Sequence, residues 1–302
     1  MTTGSHACED DPRNATVLIS INGELSRRPD AKISVFDAGF LLGDGIWEAM
    51  RLHRGRFAFL DGHLDRLFHG AEAIALDIGK TRAEIRDLLH RTVSANEMTD
   101  GVHVRLIVSR GMKLTPFQDP AASASTATIV VIPEWKTADP ALAERGLRLV
   151  TTDVIRPPTN AQDPRLNSLS KHNCIAACID AQRKGGEEGI MLDPLGFVAT
   201  CNSTHFFIVR GGAVWTSTGE FCLDGITRRN VIDLCQTHDL PVFERNFTIE
   251  DVHSADEVFV TGTFAGITPA NRVDDVPFAR GPITRRLQGL YHALVERACS
   301  GD

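Results

Sequence analysis

Lys171 is the residue whose type and position are best suited to a catalytic role. It lies in Asn167-Ser168-Leu169-Ser170-Lys171-His172-Asn173, after a proline-rich loop and in the first turn of a helix predicted over about residues 168–184. The helix dipole disfavours a positive charge near a helix N-terminus, so the neutral, nucleophilic form of the amine is favoured there. Such a lysine suits Schiff-base chemistry with a carbonyl compound. A lysine in this position is also typical of an ordinary solvated helix.

Three loops rich in small residues could hold a phosphate group through their backbone N–H groups. They are residues 43–45, 223–228 and 261–266. Arg66 lies on an otherwise apolar helix face in His63-Leu64-Asp65-Arg66-Leu67, where a guanidinium needs a partner such as phosphate or carboxylate. Taken singly, each loop is also typical of a turn or a helix cap, and Arg66 of a surface salt bridge.

Composition limits the classes of partner. The 302 residues include 32 Lys+Arg and 39 Asp+Glu, a net charge of −7 without a long block of one sign, which argues against nucleic acid or an anionic membrane. The longest apolar stretch, residues 127–132, is too short to span a membrane, and residues 1–13 carry acids where a secretory signal needs a basic flank. Seven scattered cysteines form no Cys-x-x-Cys pair, so we expect buried thiols and no metal site. These features predict a cytoplasmic protein that acts on small molecules.

The elements that must position these residues fall into two halves. Short strands at residues 17–21 and 33–36, with the turn Asn22-Gly23 between them, begin a domain of strands and helices over residues 1–134. Two prolines and a run of charges between residues 133 and 146 indicate a linker, placed at residues 135–145. Residues 146–302 again mix strands and helices. The predicted fold class is therefore α/β (α+β) with two domains.

The order of these motifs resembles the class IV (fold type IV) pyridoxal-phosphate aminotransferases. This family includes branched-chain and D-amino acid aminotransferases, R-selective amine transaminases and aminodeoxychorismate lyase. The resemblance covers nearly the whole chain and rests on motifs at residues 22–23, 37–48, 63–67, 105–111, 193–198, 223–228, 261–263 and 281–284. It implies a pyridoxal 5'-phosphate enzyme that forms a homodimer. It also implies a smaller N-terminal α/β domain and a larger C-terminal pseudo-barrel α/β domain.

The resemblance assigns roles to individual residues. It implies that the cofactor phosphate is bound by Arg66, Ile226, Thr227, Gly262 and Thr263. Ungapped counting places the family's lysine at Asn167, beside the cofactor, whereas Lys171 stands where branched-chain enzymes have a tyrosine. Four residues are one helical turn, so we predict that Lys171 forms the internal aldimine from a shifted position. The alternative is that this lysine is missing and the protein binds the cofactor without ordinary turnover.

Further departures concern the cofactor ring and the substrate. Thr200 stands where the family has a glutamate against the pyridine nitrogen, and a neutral hydroxyl should weaken the ring as an electron sink. The resemblance implies that the substrate is bound by Arg105, Phe40, Leu42, Lys113, Phe264 and Ala265. The loop 112–118 lacks the arginine of D-amino acid aminotransferases. We therefore predict amino-group transfer between a branched-chain or other apolar amino acid and a 2-oxo acid. The alternatives are a lyase resembling aminodeoxychorismate lyase and a catalytically impaired cofactor-binding homologue.

Overall fold

The chain folds into two compact units. A computed structural model describes residues 4–6, 8 and 10–300. The N-terminal unit comprises residues 10–137, 167–171 and the described residues from 298 onward. The C-terminal unit comprises the described residues before 10, residues 138–166 and residues 172–297. The short segment 167–171, which carries both Asn167 and Lys171, thus belongs to the N-terminal unit although its neighbours in sequence belong to the other.

The N-terminal unit contains one antiparallel sheet of the order β2-β1-β6-β5-β3-β4. Its strands are β1 (Leu18–Ile21), β2 (Glu24–Arg27), β3 (Gly45–His53), β4 (Arg56–Phe57), β5 (Val102–Ser109) and β6 (Thr128–Trp135). Its helices are α1 (Ala38–Leu42), α2 (Leu60–Ala73) and α3 (Arg82–Ala95), with short 3-10 turns at Pro12–Thr16 and Pro120–Ala122. β3 and β5 pair from Gly45 opposite Ser109 to Leu52 opposite Val102, which fixes the register at the centre of the sheet.

The C-terminal unit contains a sheet of nine strands in the order β12-β11-β10-β13-β14-β7-β8-β9, with β15 on β14. The strands are β7 (Leu147–Thr151), β8 (Glu188–Leu192), β9 (Val198–Cys201), β10 (His205–Arg210), β11 (Ala213–Thr216), β12 (Val242–Glu244), β13 (Glu257–Gly262), β14 (Gly266–Val273) and β15 (Val276–Pro277). The helices are α4 (Pro140–Arg145), α5 (His172–Arg183), α6 (Ile226–Thr237), α7 (Ile249–His253) and α8 (Pro282–Cys299). β9, at one end of the order, leads through a three-residue turn to β10, third from the other end, so the sheet must curl.

Alternation along β3 decides which side chains enter the core of the N-terminal unit. Ile46, Met50 and Leu52 are almost fully buried and pack with apolar side chains of α2 and α3. Trp47 and Ala49 alternate with them and therefore lie on the other face of the sheet. Each fully buried side chain of this size contributes about 1.5–3 kcal/mol. The core thus holds one face of β3 firmly and leaves the other face for chemistry.

One predicted strand is absent. The turn Asn22-Gly23 does form a hairpin, with both residues at positive φ, but it joins β1 to β2. The other edge of β1 pairs with β6, so no edge of β1 is left for residues 33–36. Ile33 and Val35 lie exposed outside any strand, which makes the predicted strand at residues 33–36 wrong.

None of the helices in the described parts of the chain is long and apolar enough to cross a membrane.

Candidate active site

The residues ahead of Lys171 are extended. The backbone N–H of Trp47 donates to the carbonyl of Asn167 (3.0 Å), and the N–H of Leu169 donates to the carbonyl of Gly45 (2.9 Å). These hydrogen bonds add residues 167–169 antiparallel to the first residues of β3. A helix cannot form where its backbone groups are used by a strand, so α5 begins at His172. The predicted helix start near residue 168 is therefore wrong, and Lys171 precedes the helix.

Two glycines make room for this segment. A Cβ atom at Gly45 would lie 2.4 Å from the carbonyl oxygen of Val108 and 2.7 Å from the Leu169 side chain, so a larger residue would clash with β5 and crowd Leu169. Gly43 ends α1 with a φ of 67°, a conformation that favours glycine. Asp44 between them pairs with Arg110 at 2.6 Å. The structure thus uses the loop 43–45, one of the candidate phosphate loops, to seat the segment that carries Lys171.

The amine of Lys171 reaches back to Asn167. Its Nζ donates to Asn167 Oδ1 at 3.1 Å and lies 5.3 Å from the centre of the Trp47 ring. The Asn167 Nδ2 in turn donates to the carbonyl of Trp47 at 2.6 Å, which fixes the amide so that its oxygen faces the lysine. Asn167 is nearly buried. The residue that stands at the expected lysine position and the lysine four residues later therefore meet, without a helix between them.

Arg105 lies on the same face of the sheet. In the sheet, Arg105 of β5 lies directly opposite Ala49 of β3. The guanidinium of Arg105 is 4.2 Å from the centre of the Trp47 ring. Trp47 is thus in contact with two cationic side chains, Arg105 and Lys171. An anionic group approaching this face meets the positive charge of Arg105.

Arg66 lies on the opposite face, where Glu48 points into the core. Glu48 Oε1 accepts from Arg66 Nε and Glu48 Oε2 from Arg66 Nη2, both at 2.7 Å, and Oε2 is also 2.7 Å from His63 Nδ1. Burial acts to raise the pKa of Glu48, but the charge and hydrogen bonds of Arg66, aided by His63, outweigh it and lower the pKa. Arg66 therefore has the carboxylate partner that its sequence position requires.

Glu48 was not singled out by sequence reasoning. The signal was present, because Glu48 occupies an inward-facing position between Ile46 and Met50 in an alternating strand. A carboxylate at such a position needs a cation within the core.

The C-terminal unit contains the predicted phosphate ligands other than Arg66. Helix α6 begins after Gly225, which provides no side-chain cap, and its first residues Ile226 and Thr227 are buried. Gly262 is the last residue of β13 and Thr263 follows it, and both are half-buried. The hydroxyl of Thr261 is buried, and within the described residues it has no hydrogen-bond partner. Backbone N–H groups at a helix N-terminus and nearby hydroxyls are donors that fit a phosphate dianion.

Thr200 has a fixed hydroxyl. Its Oγ1 donates to the carbonyl of Thr204 at 2.8 Å, so the oxygen can only accept a hydrogen bond from a further group. Behind it, Thr204 Oγ1 donates to Glu188 at 2.6 Å. Burial raises the pKa of Glu188, although hydrogen bonds from Ser5, Thr204 and Ser203 act to lower it. A buried carboxyl group therefore supports the turn that orients Thr200.

The predicted substrate ligands lie in different surroundings. Phe40 and Leu42 on α1 are 68% and 41% exposed, whereas Phe264 is buried against the ring of His6 and Ala265 is half-buried. Lys113 is buried, and its Nζ donates to the carbonyl of Asp119. The described contact of Lys113 therefore closes the loop between β5 and β6.

The chain is similar to known proteins over most of its length. The model of the family "Amino-transferase class IV" matches residues 45–273. Branched-chain-amino-acid aminotransferase-like protein 1 of Arabidopsis thaliana is 36% identical over 289 residues, 94% of this chain and 52% of that protein. The chain spans about half the length of this relative and of the Arabidopsis like protein 2.

Two further similarities extend over nearly the full length of both this chain and the protein it is compared with. The putative branched-chain-amino-acid aminotransferase of Methanocaldococcus jannaschii is 35% identical over 277 residues, 90% of this chain and 94% of that protein. The branched-chain aminotransferase of the thermophilic archaeon Thermoproteus uzoniensis, solved with norvaline, superposes with a TM-score of 0.86 at 26% identity, and covers 94% of this chain and 96% of that one. These similarities confirm the predicted fold type IV architecture. Another similar structure, also of a branched-chain amino acid aminotransferase, contains N-(5'-phosphopyridoxyl)-L-glutamate.

Replacing Glu48 by Gln should destabilise the protein at neutral pH. Breaking a buried ion pair by removing one partner costs about 3–5 kcal/mol, because the other charge is left uncompensated. The pKa of Glu48 is lower in the folded protein than its ordinary value of 4.5, so its contribution is present above that value and is lost as the pH falls through the folded pKa. Urea unfolding at pH 7 and below pH 4.5 measures both effects.

The control is Glu72→Gln, an exposed position on helix α2, which also carries Arg66. Its free energy of unfolding should stay within about 0.5 kcal/mol of the native value. If Glu48→Gln behaved like this control at pH 7, the ion pair with Arg66 would not stabilise the fold.

Proposed function

We propose that this chain, which belongs to the class IV aminotransferase family, is a pyridoxal-phosphate-dependent aminotransferase. It moves the amino group of a branched-chain or other apolar amino acid to a 2-oxo acid. The observation that carries the proposal is the contact between the amine of Lys171 and the side chain of Asn167, the position expected for the family's lysine.

Lys171 provides the reactive amine. Pyridoxal phosphate supplies an aldehyde that bonds to amines and a ring that withdraws electrons from the bond being broken. With the cofactor bound, Lys171 Nζ would be the amine that holds this aldehyde and the base that accepts the proton at the Cα atom of the amino acid. Asn167 Oδ1 and the Trp47 ring both contact this amine and orient it.

The remaining cofactor contacts follow from the donors described above. We propose that the phosphate is held by Arg66, Ile226, Thr227, Gly262 and Thr263. Thr200 then faces the pyridine nitrogen as an acceptor, because its own proton is used on Thr204. A hydroxyl oxygen that can only accept favours a protonated pyridine nitrogen, though less strongly than the glutamate it replaces.

The substrate contacts also remain proposals. Arg105 is suited to a carboxylate, since its guanidinium lies over Trp47 beside Lys171. Phe40, Leu42, Phe264 and Ala265 are apolar and suit an apolar side chain. Lys113 acts by holding the loop between β5 and β6 closed through Asp119. We further propose that the protein works as a homodimer, like the family it resembles; its cytoplasmic location stays a prediction.

A half-reaction tests the function. The protein loaded with pyridoxal phosphate is mixed with one amino acid and no oxo acid, and the cofactor is extracted and analysed by chromatography. We expect pyridoxamine phosphate with L-leucine and L-valine, none with D-alanine, and none with the Lys171→Ala variant. Pyruvate formed from a single substrate would instead indicate a lyase, and bound cofactor that no donor converts would indicate a binding protein.

Replacing Asn167 by Asp should slow the reaction with pyridoxal phosphate at neutral pH. A carboxylate about 3 Å from Nζ favours the ammonium form by about tenfold or more, and the ammonium has no lone pair for the aldehyde. Stopped-flow absorbance after mixing cofactor-free protein with pyridoxal phosphate measures the rate. It should recover as the pH is raised.

The neutral variant Asn167→Ser separates charge from the lost hydrogen bond. It should react at neutral pH several times faster than Asn167→Asp. Equal rates for Asn167→Asp and the native protein would show that the reacting amine does not lie beside residue 167.

A further inference from the structure

His205 opens β10 and lies beside the loop that precedes α6. Its Nε2 is 2.6 Å from the carbonyl oxygen of Leu223. A carbonyl oxygen only accepts, so Nε2 carries the proton and donates it. In the sheet, His205 is directly opposite Thr261 of β13. One residue thus touches the loop before α6 and pairs with the strand that leads to Gly262 and Thr263.

The ring of His205 also explains why residue 225 is glycine. A Cβ atom at Gly225 would lie 2.2 Å from His205 Cε1 and 2.6 Å from Nδ1. The φ of Gly225 is −76°, which any residue can adopt, so the requirement is for space. The imidazole therefore fills the volume that a side chain at the start of α6 would occupy.

This arrangement supports the start of α6 without capping it. In most helices a Ser, Thr, Asp or Asn at this position accepts hydrogen bonds from the first-turn N–H groups. Gly225 makes no such side-chain bond, and His205 fixes the loop through the carbonyl of Leu223 instead. The first-turn N–H groups are thereby left for a ligand. The buried hydroxyl of Thr261, which has no partner within the described residues, is a second polar group beside the same elements.

We infer that His205 is a positioning residue for the phosphate of the cofactor. It holds residues 223–227 and residues 261–263 at a fixed separation, so that donors from both of these segments of the C-terminal unit reach the phosphate. The inference rests on the proposed function, because it takes the ligand to be pyridoxal phosphate. It predicts that His205 contributes to the affinity for the phosphate and leaves the affinity for the ring unchanged.

Comparing two ligands tests this role. Equilibrium dialysis gives the Kd of the full chain for pyridoxal phosphate and for pyridoxal, which has the same ring and aldehyde but no phosphate. In His205→Ala, we expect the Kd for pyridoxal phosphate to rise tenfold or more and the Kd for pyridoxal to change less than twofold. His205→Gln keeps a donor for Leu223 and should recover most of the affinity. Gly225→Ala, whose methyl group displaces the ring, should resemble His205→Ala.

The outcomes separate the inference from the proposed function. A His205→Ala variant in which both Kd values rise equally, or neither rises, overturns the role of His205 while leaving the aminotransferase proposal in place. Native protein that binds neither ligand overturns both. Circular dichroism shows whether His205→Ala folds. If it does not, the ratio of the Kd for pyridoxal phosphate to the Kd for pyridoxal is compared between the native protein and the variants His205→Gln and Gly225→Ala. If both variants have the same ratio as the native protein, the inference is overturned.

Discussion

The candidate active site depends on the antiparallel pairing of residues 167–169 with the first residues of β3. Two backbone hydrogen bonds and the side-chain bond from Asn167 to the carbonyl of Trp47 hold this pairing. It orients the Asn167 amide oxygen towards Lys171, and it ends before α5 begins. Gly45 makes room at this point, because a larger residue would clash with the Val108 carbonyl of β5 and crowd the Leu169 side chain. The lysine is placed by strand geometry, and the helix that follows it plays no part in bringing it to Asn167.

The side chains of β3 alternate between the two faces of the sheet, so that one face carries the candidate active-site residues and the other stabilises the core. Trp47 faces Lys171 and Arg105, while its neighbour Glu48 faces the core and binds His63 and Arg66. A slip of one residue in the pairing with β5 would exchange these faces, burying the tryptophan and exposing the carboxylate. The long register between β3 and β5, together with the buried ion pair, prevents such a slip. Stability and chemistry are therefore coupled through adjacent residues of one strand.

Local signals predicted much of this fold, and long-range pairing explains the rest. The turn at Asn22-Gly23 follows from residues that tolerate positive φ, and the family motifs predicted the fold type. The absent strand at residues 33–36 could not be foreseen, because the neighbours of β1 include β6, more than a hundred residues later. The pairing of Asn167 with Trp47 is also long-range, so the residues near Lys171 in the sequence do not predict it. The partner of Arg66 could have been predicted from the sequence, because Glu48 interrupts the apolar pattern of the inward-facing residues of β3.

The central claim is that Lys171 is the amine that bonds to the cofactor from a position four residues beyond Asn167. Borohydride reduction of the protein loaded with pyridoxal phosphate, followed by proteolysis and mass mapping, identifies the lysine that carries the pyridoxyl group. The account predicts that the label lies on Lys171 and is lost in Lys171→Ala. A label on another lysine such as Lys113, or no label at all, would contradict it.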